Sequence, residues 1–316
     1  MYSKMITPFL AILGLLTNFP TSSFAAPSPV LGIMSHPFNS THEFIAASYV
    51  RWLQMGGARA VRIPFTANST ELDLYVKEMN GVLFMGGGQH LPDSAQYLFE
   101  EIVGSYDLEK ASTLTPLWGI CLGFQWLLQM ASEDIHLLST GFDSENISLP
   151  LTFTEAGETS RMYTQNGAID MVSLLKANNV TMNNHGAGVK PTNFASHETL
   201  DDFNLLSTNK DRNGLEFVSS FEHKNFPIYG TQYHPEKSNF EYGSHSPKVD
   251  DTPYEAIAHS IEAVRYSFEL ATLLVAEAAK TGVRFDPASS GLRTIIEKND
   301  GVLLRSEFEE SYLFKI

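Results

Sequence analysis

The sequence has only one cysteine, Cys121, among its 316 residues. A single thiol excludes any disulfide within the chain, so the fold depends on its hydrophobic core. In an oxidising compartment cysteines are normally used in pairs. A lone cysteine there is either a buried, inert side chain or one retained for its thiol chemistry.

Basic residues are also scarce: 21 Lys and Arg face 36 Asp and Glu, for a formal net charge of −15. Binding to nucleic acid or anionic lipid depends on clustered Lys and Arg, and the sequence contains no such cluster. We therefore expect no nucleic-acid partner. The histidines are scattered and no H-E-x-x-H or paired-cysteine pattern occurs, so no metal site is predicted.

Long apolar runs are absent as well. A membrane-spanning helix needs about 20 apolar residues, and the run over 6–16 is only about half that length. Lys4 precedes this run, and Ser23 and Ala25 are small residues at the offsets expected for cleavage. This arrangement predicts a signal peptide over residues 1–25 that is removed. A single domain over 26–316 follows, with no membrane attachment.

Asparagine sequons agree with passage through the secretory pathway. Four N-x-S/T sites lie at Asn39, Asn68, Asn146 and Asn179. Each is a common coincidence by itself, but together with the signal peptide they favour a glycoprotein if the source is a eukaryote.

After residue 26, short apolar runs alternate with amphipathic stretches, a pattern typical of an α/β fold with a mostly parallel sheet. The predicted strands cover 30–35, 58–65, 81–84, 116–120, 215–221 and 228–233. Helices are predicted over about 45–56, 70–79, 93–110 and 122–131, and a long one after 255. We expect loops and short antiparallel strands over 133–213, and we assign no structure to the polar tail from about 286.

Two helices carry more detailed predictions. In the first, Ile45, Tyr49 and Trp52 fall at helical spacing after the candidate caps Ser40 and Thr41. In the last, helical spacing predicts that one apolar face is buried. That face consists of Ile257, Ile261, Val264, Phe268, Ala271 and Val275.

Cys121 lies in a G-x-C-x-G segment, from Gly119 to Gly123, between a predicted strand and a predicted helix. This pattern is a thiol analogue of the nucleophile elbow. Glycine is needed on both sides because the turn brings backbone so close that side chains there would collide. The N-terminus of the following helix favours the thiolate. The alternative is a buried cysteine between tightly packed glycines.

A histidine late in the chain supplies the matching base. His234 ends a predicted strand and is followed by Pro235 and Glu236. An imidazole can take the thiol proton and later return one to the leaving group. Glu236 has the reach to hold the far ring nitrogen, so the three candidate catalytic residues are Cys121, His234 and Glu236.

Three glycines, Gly86 to Gly88, follow a predicted buried strand. Without side chains, their backbone N–H groups can approach a ligand. We expect the oxyanion of an acyl-transfer reaction to be bound by the backbone N–H of Leu122 and by one from this segment, at Gly87. A flexible turn or a phosphate loop is the alternative, but no Lys-Ser/Thr follows, which excludes a Walker motif.

The residues around these motifs resemble those of the gamma-glutamyl hydrolase family, relatives of the class I glutamine amidotransferases. The similarity extends over about 30–279 and is densest at 46–50, 81–84, 116–124, 160–163 and 229–237. Two positions depart from the family pattern. Met85 stands where proline is usual before the glycines, and Tyr233 stands where tryptophan is usual before the histidine.

The resemblance implies a class I glutamine amidotransferase-like (flavodoxin-like) three-layer sandwich. It also implies hydrolysis of gamma-glutamyl bonds, typically in folylpolyglutamates, through a thioester on Cys121 and without a cofactor. It makes His185 a substrate-site residue, although a surface histidine is the alternative, and it suggests a homodimer. The signal peptide points to a secreted and/or lysosomal (vacuolar) location.

Arg161 is a candidate contact for a substrate glutamate carboxylate, because a guanidinium offers a planar, bidentate donor. A surface ion pair would explain this arginine equally well.

Two other functions stay open from sequence. A glutaminase that passes ammonia to a synthetase would use the same three residues, but a secreted ammonia donor would lack its intracellular partner. A non-catalytic secreted glycoprotein could use the scaffold for binding alone, although the joint presence of cysteine, histidine and glutamate argues against it.

Overall fold

The computed structural model of the protein describes residues 28–109, 114–165, 167–244, 252–285, 296, 303–304 and 308–316. The predicted signal peptide lies outside the described residues. The strands, in chain order, are β1 (Val30–Met34), β2 (His36–Asn39), β3 (His42–Ala46), β4 (Arg59–Ile63), β5 (Gly81–Phe84), β6 (Leu117–Ile120), β7 (Ser139–Leu149), β8 (Thr152–Phe153), β9 (Thr181–Gly188), β10 (Phe203–Lys210), β11 (Glu216–His223), β12 (Ile228–Thr231), β13 (Leu303–Leu304) and β14 (Ser311–Lys315). The α-helices are α1 (Ala47–Met55), α2 (Ser69–Glu78), α3 (Asp93–Gly104), α4 (Leu122–Ser132), α5 (Glu155–Glu158), α6 (Arg161–Thr164), α7 (Met171–Ala177), α8 (Pro191–Ser196), α9 (Lys237–Phe240) and α10 (Ile261–Lys280).

The central sheet has eight strands in the order β4-β1-β5-β6-β12-β11-β10-β8. Neighbours from β4 through β12 pair in parallel, whereas β11, β10 and β8 add an antiparallel edge. Every residue of β1, β5, β6 and β12 is buried. Continuously buried strands are typical of a sheet covered on both faces.

The two faces of this sheet carry separate apolar clusters. Because successive side chains of a strand alternate, Leu31 and Ile33 join one cluster while Val30 and Met34 join the other. The first cluster includes residues of α1, α7 and α10, and the second includes residues of α2, α3 and α4. The predicted three-layer α/β sandwich is therefore confirmed.

The start of α1 differs from the prediction. Ser40 and Thr41 lie in the turn between β2 and β3, and the helix begins only at Ala47, with no side-chain cap. Residues 42–46 are extended because β3 pairs with β2 on one side and with β14 on the other. The backbone N–H of Ala47 donates instead to the carbonyl of Glu310, at 2.9 Å.

The predicted buried face of the long helix α10 is only partly correct. Ala271 and Val275 are buried, but Ile261 and Phe268 are 57% and 44% exposed, and Tyr266, Leu270 and Leu274 are fully buried instead. The end of α1 approaches the buried side of α10 closely. A Cβ atom added to Gly56 would lie 2.7 Å from the carbonyl oxygen of Ala271.

The segment 133–213 holds more regular structure than expected. It contains the long strand β7 paired antiparallel with β9, four short α-helices and a 3-10 helix at Glu198–Leu200. Toward the C-terminus, β14 joins a second sheet in the order β13-β14-β3-β2. The polar tail, to which no structure was assigned from sequence, thus supplies a strand.

Candidate active site

Cys121 occupies a strained turn between β6 and α4. Its backbone has φ 53° and ψ −105°, and the residue is 5% exposed. A non-glycine residue with positive φ costs free energy and persists only where surrounding packing holds it. Cβ atoms at Gly119 and Gly123 would lie 2.3 Å from the Gly123 carbonyl oxygen and 2.0 Å from that of Phe84. The two glycines are therefore required by close backbone approach, as the sequence argument expects.

His234 follows β12 and lies beside Cys121. Its backbone N–H donates to the carbonyl of Met182 at 2.8 Å. In the side chain, Nδ1–H donates to Oε1 of Glu236 at 2.7 Å, and both residues are buried. Cys121 and the imidazole flank the same glycine and line the same cavity, since a Cβ atom on Gly86 would lie 2.8 Å from Cε1 of His234 and 3.3 Å from Cβ of Cys121. The structure thus brings the three predicted catalytic side chains together.

The charge state of His234 follows from its neighbours. Burial lowers the pKa of His234, as does Lys237, but the Glu236 carboxylate and Cys121 outweigh them and raise it to about 9. The protonated ring is favoured at neutral pH as a result. A cationic imidazole beside a thiol is the arrangement that stabilises the thiolate in cysteine hydrolases.

The glycine segment after β5 lies against this pair. A Cβ atom at Gly86 would lie 2.8 Å from Cε1 of His234, and one at Gly87 would lie 2.3 Å from Nδ1 of His36. Gly86 N–H donates to the Tyr49 hydroxyl at 2.9 Å, and Gly88 N–H donates to the Gln89 side chain at 3.1 Å. Within the described part of the chain, the N–H of Gly87 has no acceptor, so it is free to bind a ligand oxygen.

A cavity of about 520 Å³ opens above Cys121. Its lining comes mainly from the second sheet, from β9, from the glycine segment and from the segments that follow β6 and β12: Pro37, Phe38, Phe44, Tyr49, Gly86, Gly87, Gly88, Gln89, Cys121, Asn184, His234, Lys237, Phe308, Ser311 and Leu313. Lys237 is the lysine of this set, and its ammonium group binds both carboxylate oxygens of Glu255, each at 2.5 Å.

The structure does not bring Arg161 into this cavity, which corrects the sequence-based candidate. Its guanidinium group donates to the backbone carbonyls of His223 and Phe226 and lies over the ring of Tyr229. Those contacts hold α6 against the antiparallel edge of the sheet, at β11 and the turn before β12. The planar donor is thus used for internal packing.

His185 is likewise not among the residues that line the cavity. Its ring packs edge-on against Phe217, and Nδ1 lies 2.9 Å from the carbonyl of Ala187. Burial lowers the pKa of His185 to about 4, against an opposing effect of that carbonyl. Because side chains alternate along β9, its neighbour Asn184 faces the cavity instead.

Sequence reasoning missed Tyr49, Lys237 and Asn184. All three stand inside or next to segments already noted for their family resemblance or for a candidate histidine. Nothing in the local pattern indicated that they would face Cys121. The departures Met85 and Tyr233 are both buried, and the Tyr233 hydroxyl lies 2.8 Å from that of Tyr163.

The four sequon asparagines are all exposed. Among the residues that the structure describes, no group of three or more His, Cys, Asp or Glu side chains could hold a metal ion. No helix in the described ranges has the length and apolar character needed to cross a membrane.

Fold and site together define a class of protein, the class I glutamine amidotransferase-like α/β domains with an elbow cysteine. The family described as "Glutamine amidotransferase class-I" matches residues 45–249.

More specific similarity comes from curated relatives. The chain is 30% identical to "Gamma-glutamyl hydrolase B" of Dictyostelium discoideum, over 98% of this chain and 90% of the relative. It is 35% identical to "Gamma-glutamyl hydrolase" of Mus musculus, over 86% and 83% of the two chains. It is 31% identical to that of Homo sapiens, over 92% and 90%. The chain belongs to the gamma-glutamyl hydrolase family.

Proposed function

We propose that this protein is a cysteine-dependent hydrolase of gamma-glutamyl bonds, acting on folylpolyglutamates and related poly-gamma-glutamates. One observation carries the proposal beyond family membership. Cys121 lies at a strained elbow beside the His234–Glu236 pair, on the wall of a cavity of about 520 Å³. No cofactor is needed for acyl transfer to a thiol.

The reaction begins with the thiolate of Cys121 attacking the gamma-carbonyl carbon, whose π electron pair moves onto the oxygen. Backbone N–H groups of Gly87 and Leu122 bind that oxyanion. The tetrahedral intermediate collapses as the C–N bond breaks, and the imidazolium of His234 gives its proton to the leaving amine. This leaves the glutamyl group attached to Cys121 as a thioester.

Hydrolysis of the thioester completes the cycle. His234, now neutral, removes a proton from water, and the resulting oxygen nucleophile attacks the thioester carbonyl. The C–S bond breaks and the product leaves as the gamma-carboxylic acid, which releases its proton to solvent, so the thiolate–imidazolium pair is restored. Throughout, Glu236 accepts the Nδ1 proton in a hydrogen bond and so keeps Nε2 directed at the reacting atoms.

An anionic substrate must approach a chain of net charge −15, so a local cation is required. We assign this role to Lys237, because it lines the cavity. A substrate carboxylate there would compete with Glu255 for the ammonium group of Lys237. The proposal assigns no substrate contact to Arg161 or His185.

Secretion and lysosomal or vacuolar delivery form part of the proposal, with removal of residues 1–25 and glycans on the exposed asparagines Asn39, Asn68, Asn146 and Asn179. N-terminal sequencing and glycosidase treatment of the mature protein test these points, and an intact Met1 or an unchanged mass would contradict them. The homodimer is also proposed, and light scattering measures it.

The first test is replacement of the nucleophile. Cys121→Ala should abolish release of glutamate from a pteroyl-oligoglutamate ladder, while the circular dichroism spectrum and melting temperature stay close to those of the wild type. Since the chain has one cysteine, iodoacetamide reacts at Cys121 alone, and activity should disappear in step with alkylation.

Three outcomes would contradict the proposed function. Appreciable turnover by folded Cys121→Ala would exclude the thioester. Release of ammonia from glutamine with no action on gamma-glutamyl peptides would favour a glutaminase. Binding of the ladder by wild-type protein without cleavage would favour a non-catalytic binding protein.

A further inference from the structure

The hydroxyl group of Tyr49 lies between the two halves of the active site. Tyr49 is in the first turn of α1 and only 1% exposed, so its ring is fixed by packing. Its oxygen accepts a hydrogen bond from Gly86 N–H at 2.9 Å and lies 3.4 Å from Nδ1 of His234. One atom therefore contacts the glycine segment and the catalytic pair together.

The protons in this cluster can be assigned from its hydrogen bonds. Nδ1 of His234 carries a proton that it donates to Oε1 of Glu236 at 2.7 Å, so Nδ1 is not an acceptor for Tyr49. The Tyr49 oxygen therefore lies beside this Nδ1–H group at 3.4 Å, on the acceptor side. Oε2 of Glu236 is buried and has no hydrogen-bond partner among the described residues.

The Tyr49 hydroxyl keeps its proton at any pH at which the enzyme works, because burial, Glu236 and Cys121 all raise the pKa of Tyr49 well above its usual range. Tyr49 therefore stays neutral, and its oxygen joins the Gly86 amide to the imidazole of His234.

We propose that Tyr49 is a positioning residue that fixes the glycine segment relative to Glu236 and His234. By holding Gly86, it orients the next amide, that of Gly87, toward the oxygen on which charge develops. This inference rests on the proposed function and adds a residue to which no role in the reaction was assigned above.

The size of the effect follows from the role. Loss of one oxyanion-hole donor costs roughly 10²–10³ in kcat, and a displacement of about 1 Å at a reacting group can cost roughly 10²-fold. Tyr49 supports the Gly87 donor and is not itself the donor, so its removal should lower kcat by less. We expect Tyr49→Phe to lower kcat by about 10- to 100-fold and to leave KM within about threefold.

The experiment compares Tyr49→Phe with Tyr106→Phe. The control also removes a tyrosine hydroxyl bonded to backbone, because Tyr106 donates to the carbonyl of Thr115 at 2.6 Å. Thr115 precedes β6, so this bond lies at the opposite end of that strand from Cys121. Each variant is assayed for kcat and KM on a gamma-glutamyl substrate and for the rate of Cys121 alkylation by iodoacetamide. Alkylation needs the thiolate but no oxyanion donor. Its rate therefore reports on the Cys121–His234 pair independently of the glycine segment.

We expect Tyr49→Phe to lose turnover but to be alkylated at a rate within about twofold of the wild-type rate. Its melting temperature should stay well above 25 °C, the temperature of the assay. Tyr106→Phe should keep both rates. Should Tyr49→Phe fail to fold, Tyr49→Met removes the hydroxyl while keeping a buried apolar side chain, and the same rates are measured on it.

Three results would overturn the inference. An unchanged kcat would show that the bridge is dispensable. A raised KM with unchanged kcat would make Tyr49 a substrate contact. Alkylation lost in parallel with turnover would place its effect on the thiolate instead of on the glycine segment. Failure of the proposed function is separate, since it would appear as a wild-type protein that does not cleave the substrate.

Discussion

At the scale of single residues, each buried polar group of the active site has few hydrogen-bond partners, so each partner has a large effect on its charge state. Glu236 is fully buried and holds His234 through one hydrogen bond of 2.7 Å. Its negative charge is the main reason that the imidazolium persists despite burial, which by itself lowers the pKa of His234. A change confined to that charge should therefore alter both catalysis and its pH dependence.

Glu236→Gln is predicted to shift the alkaline limb of the pH profile of kcat/KM to lower pH. With a pKa of about 9, His234 stays protonated until the pH rises through that value, and without the carboxylate, burial lowers the pKa of the ring. We also expect kcat to fall by roughly 10²–10⁴-fold, as for loss of general acid–base catalysis. Initial rates from pH 5 to 10 measure both effects.

Glu241→Gln is the control for that prediction, because Glu241 is another buried carboxyl but is not hydrogen-bonded to His234. An alkaline limb that stays near pH 9 in Glu236→Gln would show that the carboxylate does not set the charge of His234.

Residue identities alone predicted the catalytic chemistry but not the substrate contacts. Gly119, Cys121 and Gly123 are neighbours in sequence, and the steric demands of a tight turn are visible in them. Arg161 and His185 had suitable chemistry, but the direction of a side chain is set by the element that carries it. Arg161 lies against backbone carbonyls, and β9 turns His185 toward Phe217.

At the scale of elements, the elbow requires close contact between β5, β6 and α4. Backbone atoms make this contact, so the surrounding structure can move little to accommodate a side chain added at either glycine of the elbow. The C-terminal strand matters in a different way. By pairing with β3, it brings Ser311 and Leu313 to the cavity wall, which no local pattern in a polar tail could reveal.

Gly123→Ala is predicted to destabilise the protein by about 3 kcal/mol or more, or to prevent folding, because the added Cβ would meet the Phe84 carbonyl oxygen at 2.0 Å. Gly104→Ala is the matched control at the end of α3, where a Cβ would have no atom within 4 Å. It should be neutral or stabilise by about 0.5–1 kcal/mol. Urea unfolding measures both, and equal stabilities for the two variants would refute the packing argument.

At the scale of the whole molecule, buried ionisable groups give stability a maximum in pH. The pKa of His234, about 9, lies above its ordinary value of 6.5. Its contribution to stability is therefore fully present below pH 6.5 and lost as the pH rises through 9.

Three other buried histidines change the pH dependence of stability in the opposite direction. Burial lowers the pKa of His36 to about 3 and those of His185 and His223 to about 4. The unfolded chain binds protons at these sites before the folded protein does, so stability falls as the pH drops below 6.5. Glu241 partly offsets this loss, since burial raises its pKa to about 7 and favours folding below that pH.

The free energy of unfolding is accordingly predicted to be highest near pH 6.5–7 and to fall by about 2–4 kcal/mol at pH 5. It should also fall between pH 7 and 9, and Glu236→Gln should flatten that side. Urea unfolding at pH 5, 7 and 9 provides the measurement, with His36→Gln as the variant that reduces the acid loss. Stability that rises steadily toward pH 5 would contradict the assignment of neutral buried histidines.

Local sequence is sufficient to predict the alternation of strands and helices, the glycine-flanked cysteine turn and the histidine–glutamate pair. Each of these depends on residues close together in the chain, whose steric and hydrogen-bonding needs are local. What the folded molecule adds is the contact of Tyr49 with Gly86 and His234, the packing of Arg161 against backbone carbonyls, and the choice of the buried face of α10. Those outcomes depend on contacts between segments far apart in sequence, where the packing of the whole chain, and not local preference, sets the direction of each side chain.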